Sequence, residues 1–157
     1  MIDKVFTYFP KEKEIPNIYL DIFKDNKRLL DKIGIPFEIF RDCPYKTRDG
    51  NYKDKTEAER LMWLYDNPTW MWIDSDVRIK KWIDFELEKD KLYLMNYYGS
   101  YDTFVIIGNN DKSTIKELID YYKDSVTQVS DALTHCIDYE ILKIYQVPNP
   151  NDSKYPT

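Results

Sequence analysis

The stretch Trp70-Met71-Trp72-Ile73-Asp74-Ser75-Asp76-Val77 decides how this chain is read: four large apolar residues run straight into two carboxylates one residue apart. Such a run is the pattern of a buried strand in an α/β sheet. Ligands of these sheets lie beyond the carboxyl ends of the strands, which places Asp74 and Asp76 at the ligand-binding edge. If the strand stays extended through Asp76, residues i and i+2 project to one side, and the two carboxylates converge on one hard cation while Ser75 turns away. A metal held by only one or two carboxylates keeps positions for water and substrate phosphates. The competing reading is that both aspartates are turn residues closing the strand, a place that Asp favours.

Upstream of this run, Thr56-Glu57-Ala58-Glu59 has the Thr-x-x-Glu form of a capping box, and Leu61, Leu64 and Tyr65 supply the apolar face that follows. A helix is expected from Thr56 to the turn signal Asn67-Pro68. Cys43 to Lys55 is polar, carries Pro44 and Gly50, and reads as a loop able to cover the site. Ile35 to Phe40 reads as a strand that delivers Arg41 and Asp42 to its carboxyl end. Before it, Pro16 opens an amphipathic helix with Ile18, Ile22, Leu29 and Ile33 on one face, and Gly34 stops it. Lys4 to Phe9, closed by Pro10, is the first strand, and its end is expected to join the site. Strands and helices alternate, which is the signature of an α/β fold.

Downstream, Lys80 to Asp90 is charged and mixed, with Trp82, Phe85 and Leu87 as anchors and no assignable element. Lys91 to Asn96 and Thr103 to Ile107 read as two strands joined across Tyr97-Tyr98-Gly99-Ser100-Tyr101. Asp111 or Ser113 caps the next helix, whose Ile115, Leu118, Ile119 and Tyr122 fall at i, i+3, i+4 and i+7. A last helix is expected from Ser130, with Leu133, Ile137, Ile141 and Ile144 on one face and Asp131, His135 and Asp138 on another. Residues 148–157 form a polar, proline-rich tail, leaving 1–147 as one domain.

Composition narrows the function classes. With 23 Lys and Arg against 28 Asp and Glu, the net charge is −5, and there is no basic surplus to neutralise a nucleic-acid backbone. Nucleic acid is therefore not the expected partner. Cys43 and Cys136 belong to no C-x-x-C pair, so neither a disulfide framework nor a zinc site is indicated, and a reducing cytoplasm is the expected location. The first residues, Met1 to Val5, carry no signal-peptide apolar stretch, and no run is long enough for a transmembrane segment.

The stretch from Thr56 to Val77 resembles the core signature of the glycosyltransferases with a DXD-type sugar-binding region, a GT-A group that includes retaining mannosyl-, galactosyl- and glucosyltransferases. Those sequences carry an acidic residue, an arginine three positions on, a leucine four later, and an apolar strand ending in D-x-D-V. Here these are Glu57, Arg60, Leu64 and Asp74-Ser75-Asp76-Val77. Two departures stand out: the family's usual Asp is Glu57, and its Gly-Gly before the strand is replaced by Asn67-Pro68-Thr69.

The resemblance implies a single GT-A-like domain, with a mixed, mostly parallel sheet flanked by helices, that moves a hexose from a nucleotide-sugar donor to an acceptor. The acceptor is a glycan, a lipid-linked sugar or a protein. A divalent cation, Mn²⁺ or Mg²⁺, is the implied cofactor, with Asp74 and Asp76 on the metal or donor ribose. Glu57 and Arg60 are implied at the donor sugar and phosphates, against the alternative of a surface ion pair worth little; on the site reading too Arg60 is expected to be exposed, so that Arg60→Ala weakens donor binding and leaves folding intact. A late histidine completes the metal shell in many GT-A enzymes, which makes His135 a candidate ligand. Asp131 is a candidate catalytic residue, or else a helix N1 residue favoured by the macrodipole. Tyr8 and Phe9 either stack on the nucleotide base or belong to the core. Two rival readings remain: a nucleotidyltransferase of similar fold, disfavoured because no glycine-rich phosphate loop follows the first strand, and a catalytically silent binding module of the same fold.

Overall fold

A computed structural model of the protein describes residues 1–45, 55–83, 86–97, 100–124, 135–138 and 144–146. The elements are β1 (Lys4–Tyr8), α1 (Asn17–Lys32), β2 (Phe37–Phe40), α2 (Lys55–Asp66), β3 (Trp70–Ile73) and β4 (Val77–Ile79). After them come β5 (Tyr93–Tyr97), β6 (Ser100–Ile107), α3 (Lys112–Asp124), β7 (His135–Asp138) and β8 (Ile144–Gln146). Six strands form one sheet in the order β2-β1-β3-β6-β5-β7, and β4 pairs antiparallel with β8 apart from it. β1 is parallel to β2 and β3, β6 is antiparallel to β3 and β5, and β7 is parallel to β5. The fold is thus the mixed α/β arrangement that the alternating pattern calls for.

Registers across the sheet place Phe37, Val5, Met71, Ile107 and Tyr93 side by side, with Glu38, Phe6, Trp72, Ile106 and Leu94 in the adjoining row. Adjacent rows face opposite sides of a pleated sheet. Accordingly Val5, Met71, Ile107 and Tyr93 share one core with Leu30 of α1, while Phe6, Trp72, Ile106 and Leu94 share a second with Leu61 and Leu64 of α2 and Ile115 and Leu118 of α3. Helices on both faces explain why β3 is apolar without alternation.

Pro16 sits at the start of α1 and Gly34, at φ +75°, ends it, as the breakers indicate. The buried stripe, however, is Ile22, Phe23, Asn26 and Leu30, and the expected Ile18 and Ile33 are exposed. A count of apolar residues passes over Asn26, yet this side chain is fully buried because β4 needs it. Its Nδ2 donates to Val77 O and its Oδ1 accepts from Ile79 N, both at 2.9 Å. Asn26 therefore stands in for a neighbouring strand on one edge of β4, with β8 on the other.

Asp111 caps α3: Oδ1 accepts from Thr114 N at 3.1 Å and Oδ2 from Leu92 N at 3.0 Å. Ahead of it, Asn109 and Asn110 adopt left-handed φ of 48° and 62°, and a Cβ on Gly108 would stand 2.5 Å from Pro68 O. Two backbones meet there, so neither can yield cheaply. Gly108→Ala is expected to lower stability by about 2–3 kcal/mol, read from urea unfolding curves.

Three expectations need correction. Helix α2 already includes Lys55, so Thr56 lies inside its first turn instead of capping it; the residues before it, 46–54, are outside the described residues. β6 starts at Ser100, so most of the expected tyrosine loop is strand. The expected helix from Ser130 is replaced by β7 and β8 where the chain is described. β5 offers an unpaired edge to His135–Asp138, and β-branched Ile137 and Ile144 suit a pleated ladder as well as a helical face. The shared helical face of Asp131, His135 and Asp138 therefore does not form. Asp131 and the 148–157 tail lie outside the described residues.

Candidate functional site

β1 has β2 on one side and β3 on the other, so the order of the strands reverses there. The crevice beyond the carboxyl ends of β1 and β3 is the topological switch point where α/β sheets bind ligands. Tyr8 ends β1 and Asp74 follows β3. Ser75 joins the two: its Oγ donates to Tyr8 O at 3.1 Å, which leaves the Thr7 hydroxyl, also 3.1 Å away, as the donor to Ser75. Buried Thr7 had no distinguishing signal in the sequence.

The pair of aspartates is not a continuation of the strand. Asp74 N donates to Phe104 O at 2.9 Å and Val77 N donates back to Asp74 O at 3.1 Å, which closes a turn over residues 74–77. Strand alternation thus stops at Ile73, and the turn, not the pleat, sets where the two carboxylates point. The turn reading therefore holds, and the turn lies at the switch point.

Behind the turn lies a charged network built on Arg60, only 7% exposed. Its guanidinium is 3.2 Å from Glu57 Oε1 and 3.1 Å from Asp74 Oδ1, and it donates to Thr103 O at 2.8 Å. Thr103 Oγ1 donates to Glu57 Oε1, and Trp72 Nε1 donates to Asp74 Oδ1 at 2.8 Å, with the guanidinium 5.0 Å from the Trp72 ring centre. The exposed surface ion pair is therefore the wrong reading of Glu57 and Arg60. They meet at i and i+3 as expected, but beneath β3 and β6. Asp74 keeps its side chain 29% exposed, and Oδ2 has no hydrogen bond among the described residues.

Around the turn, Phe9 and Tyr19 bring their ring centres to 5.8 Å, and the Tyr19 phenol is raised above its usual range by burial and then by the charge of Asp76. Arg41 lies 5.8 Å from the Phe9 ring and donates to Phe9 O, Pro10 O and Lys13 O at 2.9, 3.2 and 2.7 Å. Its fork fastens the connection from β1 to α1. The Tyr8 ring packs on Trp63 at 5.6 Å, with its phenol raised by burial and then by Cys43, Glu12, Glu59 and Asp42. Phe9 and Tyr8 hence lie at the site's edge, each already packed against another ring.

Nearby Cys43 has its thiol pushed up to about 11, chiefly by burial. The thiolate is the reactive form, so alkylation of Cys43 at pH 8, followed by peptide mass spectrometry, is expected to run about a hundredfold slower than for an unperturbed cysteine.

His135 is not brought to the turn. Its backbone pairs with Tyr93, level with Met71 through Ile107, and β6 and β5 intervene between β7 and β3. At strand spacings that is about 14 Å across the sheet and about 10 Å short of Asp74 along it. Among the described residues no group of three His, Cys, Asp or Glu side chains is placed to hold a metal. A hollow of about 950 Å³ lies at the other end of the sheet, by Asp3, Thr69 and Gly34. No helix among the described residues is long and apolar enough to cross a membrane.

No protein-family model and no curated protein sequence matches the chain. Among solved structures, the fold is similar to that of a glycosyltransferase involved in the glycosylation of the major capsid of PBCV-1, with a TM-score of 0.55. The match is 13% identical in sequence and covers 78% of this chain and 68% of that one, so what the two share is the fold.

Proposed function

We propose that the chain is a metal-dependent glycosyltransferase of GT-A type, moving a hexose with retention from a nucleotide-sugar donor to a glycan, lipid-linked sugar or protein acceptor. The observation that carries this reading is the Asp74-Ser75-Asp76 turn at the switch point, backed by buried Arg60 between Glu57 and Asp74. Likeness of fold to a glycosyltransferase supports it.

The residues fit a hard cation. Arg60 and Trp72 hold Asp74 by Oδ1, which leaves Oδ2 without a hydrogen bond among the described residues, and Asp76 follows two residues on in the same turn. Mn²⁺ or Mg²⁺ bound there would supply Lewis-acid stabilisation of the charge that develops on a departing diphosphate. The chain's own contribution is preorganisation. Glu57 and Thr103 O set the guanidinium, the guanidinium sets Asp74, and Ser75 fixes the turn against β1, so little rearrangement is left for the moment of reaction. Phe9 and Tyr8 border the same crevice and are assigned to the donor's nucleotide, and Asp131 to catalysis. His135 is left out of the metal shell on the register given above.

Titrating Mn²⁺ and nucleotide-sugars into the parent and Asp76→Asn tests this. Asparagine keeps the turn preference, so unfolding should change by no more than about 1 kcal/mol. Metal-dependent donor affinity is expected to fall at least 10- to 100-fold, roughly the loss seen when even outer-shell partners are removed. Equal donor binding with and without metal, or a variant that matches the parent, overturns the proposal. Metal-dependent binding with no donor hydrolysis in the absence of acceptor would identify a silent binding module instead.

A further inference from the structure

Backbone hydrogen bonds tie the two ends of the turn that carries Asp74 and Asp76: Asp74 N donates to Phe104 O, and Val77 N donates to Asp74 O. Its middle is fastened to β1 through the Ser75 side chain, whose Oγ donates to Tyr8 O and lies 3.1 Å from the Thr7 hydroxyl. Ser75 has one hydroxyl proton, and Tyr8 O takes it, so Thr7 is the donor of the second bond.

Thr7 is fully buried, on the same face of β1 as Val5, which belongs to the core shared with α1. Ile39 of β2 stands beside it. A hydroxyl in such surroundings costs free energy unless it is hydrogen-bonded, and valine would fill nearly the same space without that cost. Packing therefore gives no reason for a threonine here. Ser75 gives one. A single hydrogen bond to Tyr8 O leaves the serine side chain able to swing about it, whereas a second bond, from a side chain itself locked in a packed core, fixes its rotamer.

The geometry points to Thr7 as a positioning residue: its hydroxyl, acting through Ser75, sets where the carboxylates of Asp74 and Asp76 stand. That a cation meets those carboxylates rests on the proposed function, but the fixing of the turn does not.

Two readouts on the full chain separate these claims. In metal-free protein, hydrogen exchange of the Val77 amide, which closes the turn, is expected to quicken roughly fivefold in Thr7→Val, the opening that loss of one hydrogen bond allows. Exchange in α1 and the melting curve stay close to the parent's. Calorimetric titration is expected to show Mn²⁺ bound roughly tenfold more weakly by Thr7→Val, and Thr7→Ser, which keeps the hydroxyl, restores both readouts. Ser75→Ala removes the same link from its other end, so adding Thr7→Val to it should make neither readout worse. Unchanged Val77 exchange in Thr7→Val, parent-like Mn²⁺ affinity where the parent binds the ion, no rescue by serine, or additive effects of the two substitutions overturns the proposal. A parent that binds no Mn²⁺ overturns the metal reading of the site instead, and the exchange of the single and double variants then decides for or against Thr7.

Discussion

Arg60→Ala lowers the stability of this fold by about 3–5 kcal/mol, the expected cost of removing one partner from a buried ion pair. At 7% exposure, the guanidinium is the cation between Glu57 and Asp74 and the donor to Thr103 O, with the Trp72 ring against it. Truncation leaves two carboxylates facing the space it filled. Since small domains are stable by only about 5–15 kcal/mol, urea unfolding should show roughly a fifth or more of the margin gone. Arg60→Lys separates charge from shape, because an ammonium cannot reproduce a fork that meets two carboxylates and a carbonyl together. That variant is expected to fold, to lose less stability than the alanine, and to bind donor more weakly through a loosened Asp74. A loss under about 1 kcal/mol for Arg60→Ala would return the residue to the class of surface ion pairs.

Asn26→Ala is expected to cost about 2–6 kcal/mol, because Val77 O and Ile79 N both lose their partner and each orphaned buried group costs roughly 1–3 kcal/mol. The effect reaches beyond stability. Val77 closes the turn onto Asp74, so a loosened β4 frees the segment that carries Asp74 and Asp76. Hydrogen exchange of the Val77 and Ile79 amides should report this opening as faster exchange there than in β1 or β3. Unchanged exchange at those amides, with unchanged unfolding, would show that β8 alone holds β4 in place.

The amino-acid sequence by itself determined those features that rest on local physics. The unbroken apolar run Trp70–Ile73 required a strand covered on both faces, and Asp111 carried its own capping chemistry for α3. Pro16 and Gly34 set the limits of α1, because a locked φ and a left-handed φ are properties of single residues. Asp74 and Asp76 were likewise legible as two carboxylates just past a strand end. Tertiary structure alone decided which distant groups would meet. Nothing near Glu57 or Arg60 foretells that Thr103 and Asp74 will enclose them, and nothing near Asn26 shows that β4 will need its amide. Period counting scores apolar residues only, so it rotated the buried face of α1 away from that asparagine. His135–Asp138 fitted a helical period equally well until β5 offered an edge, which is a property of the assembled sheet. Local propensity differs among conformations by tenths of a kcal/mol per residue, whereas a strand edge or a buried counter-charge is worth whole units, so long-range partners override the local signal.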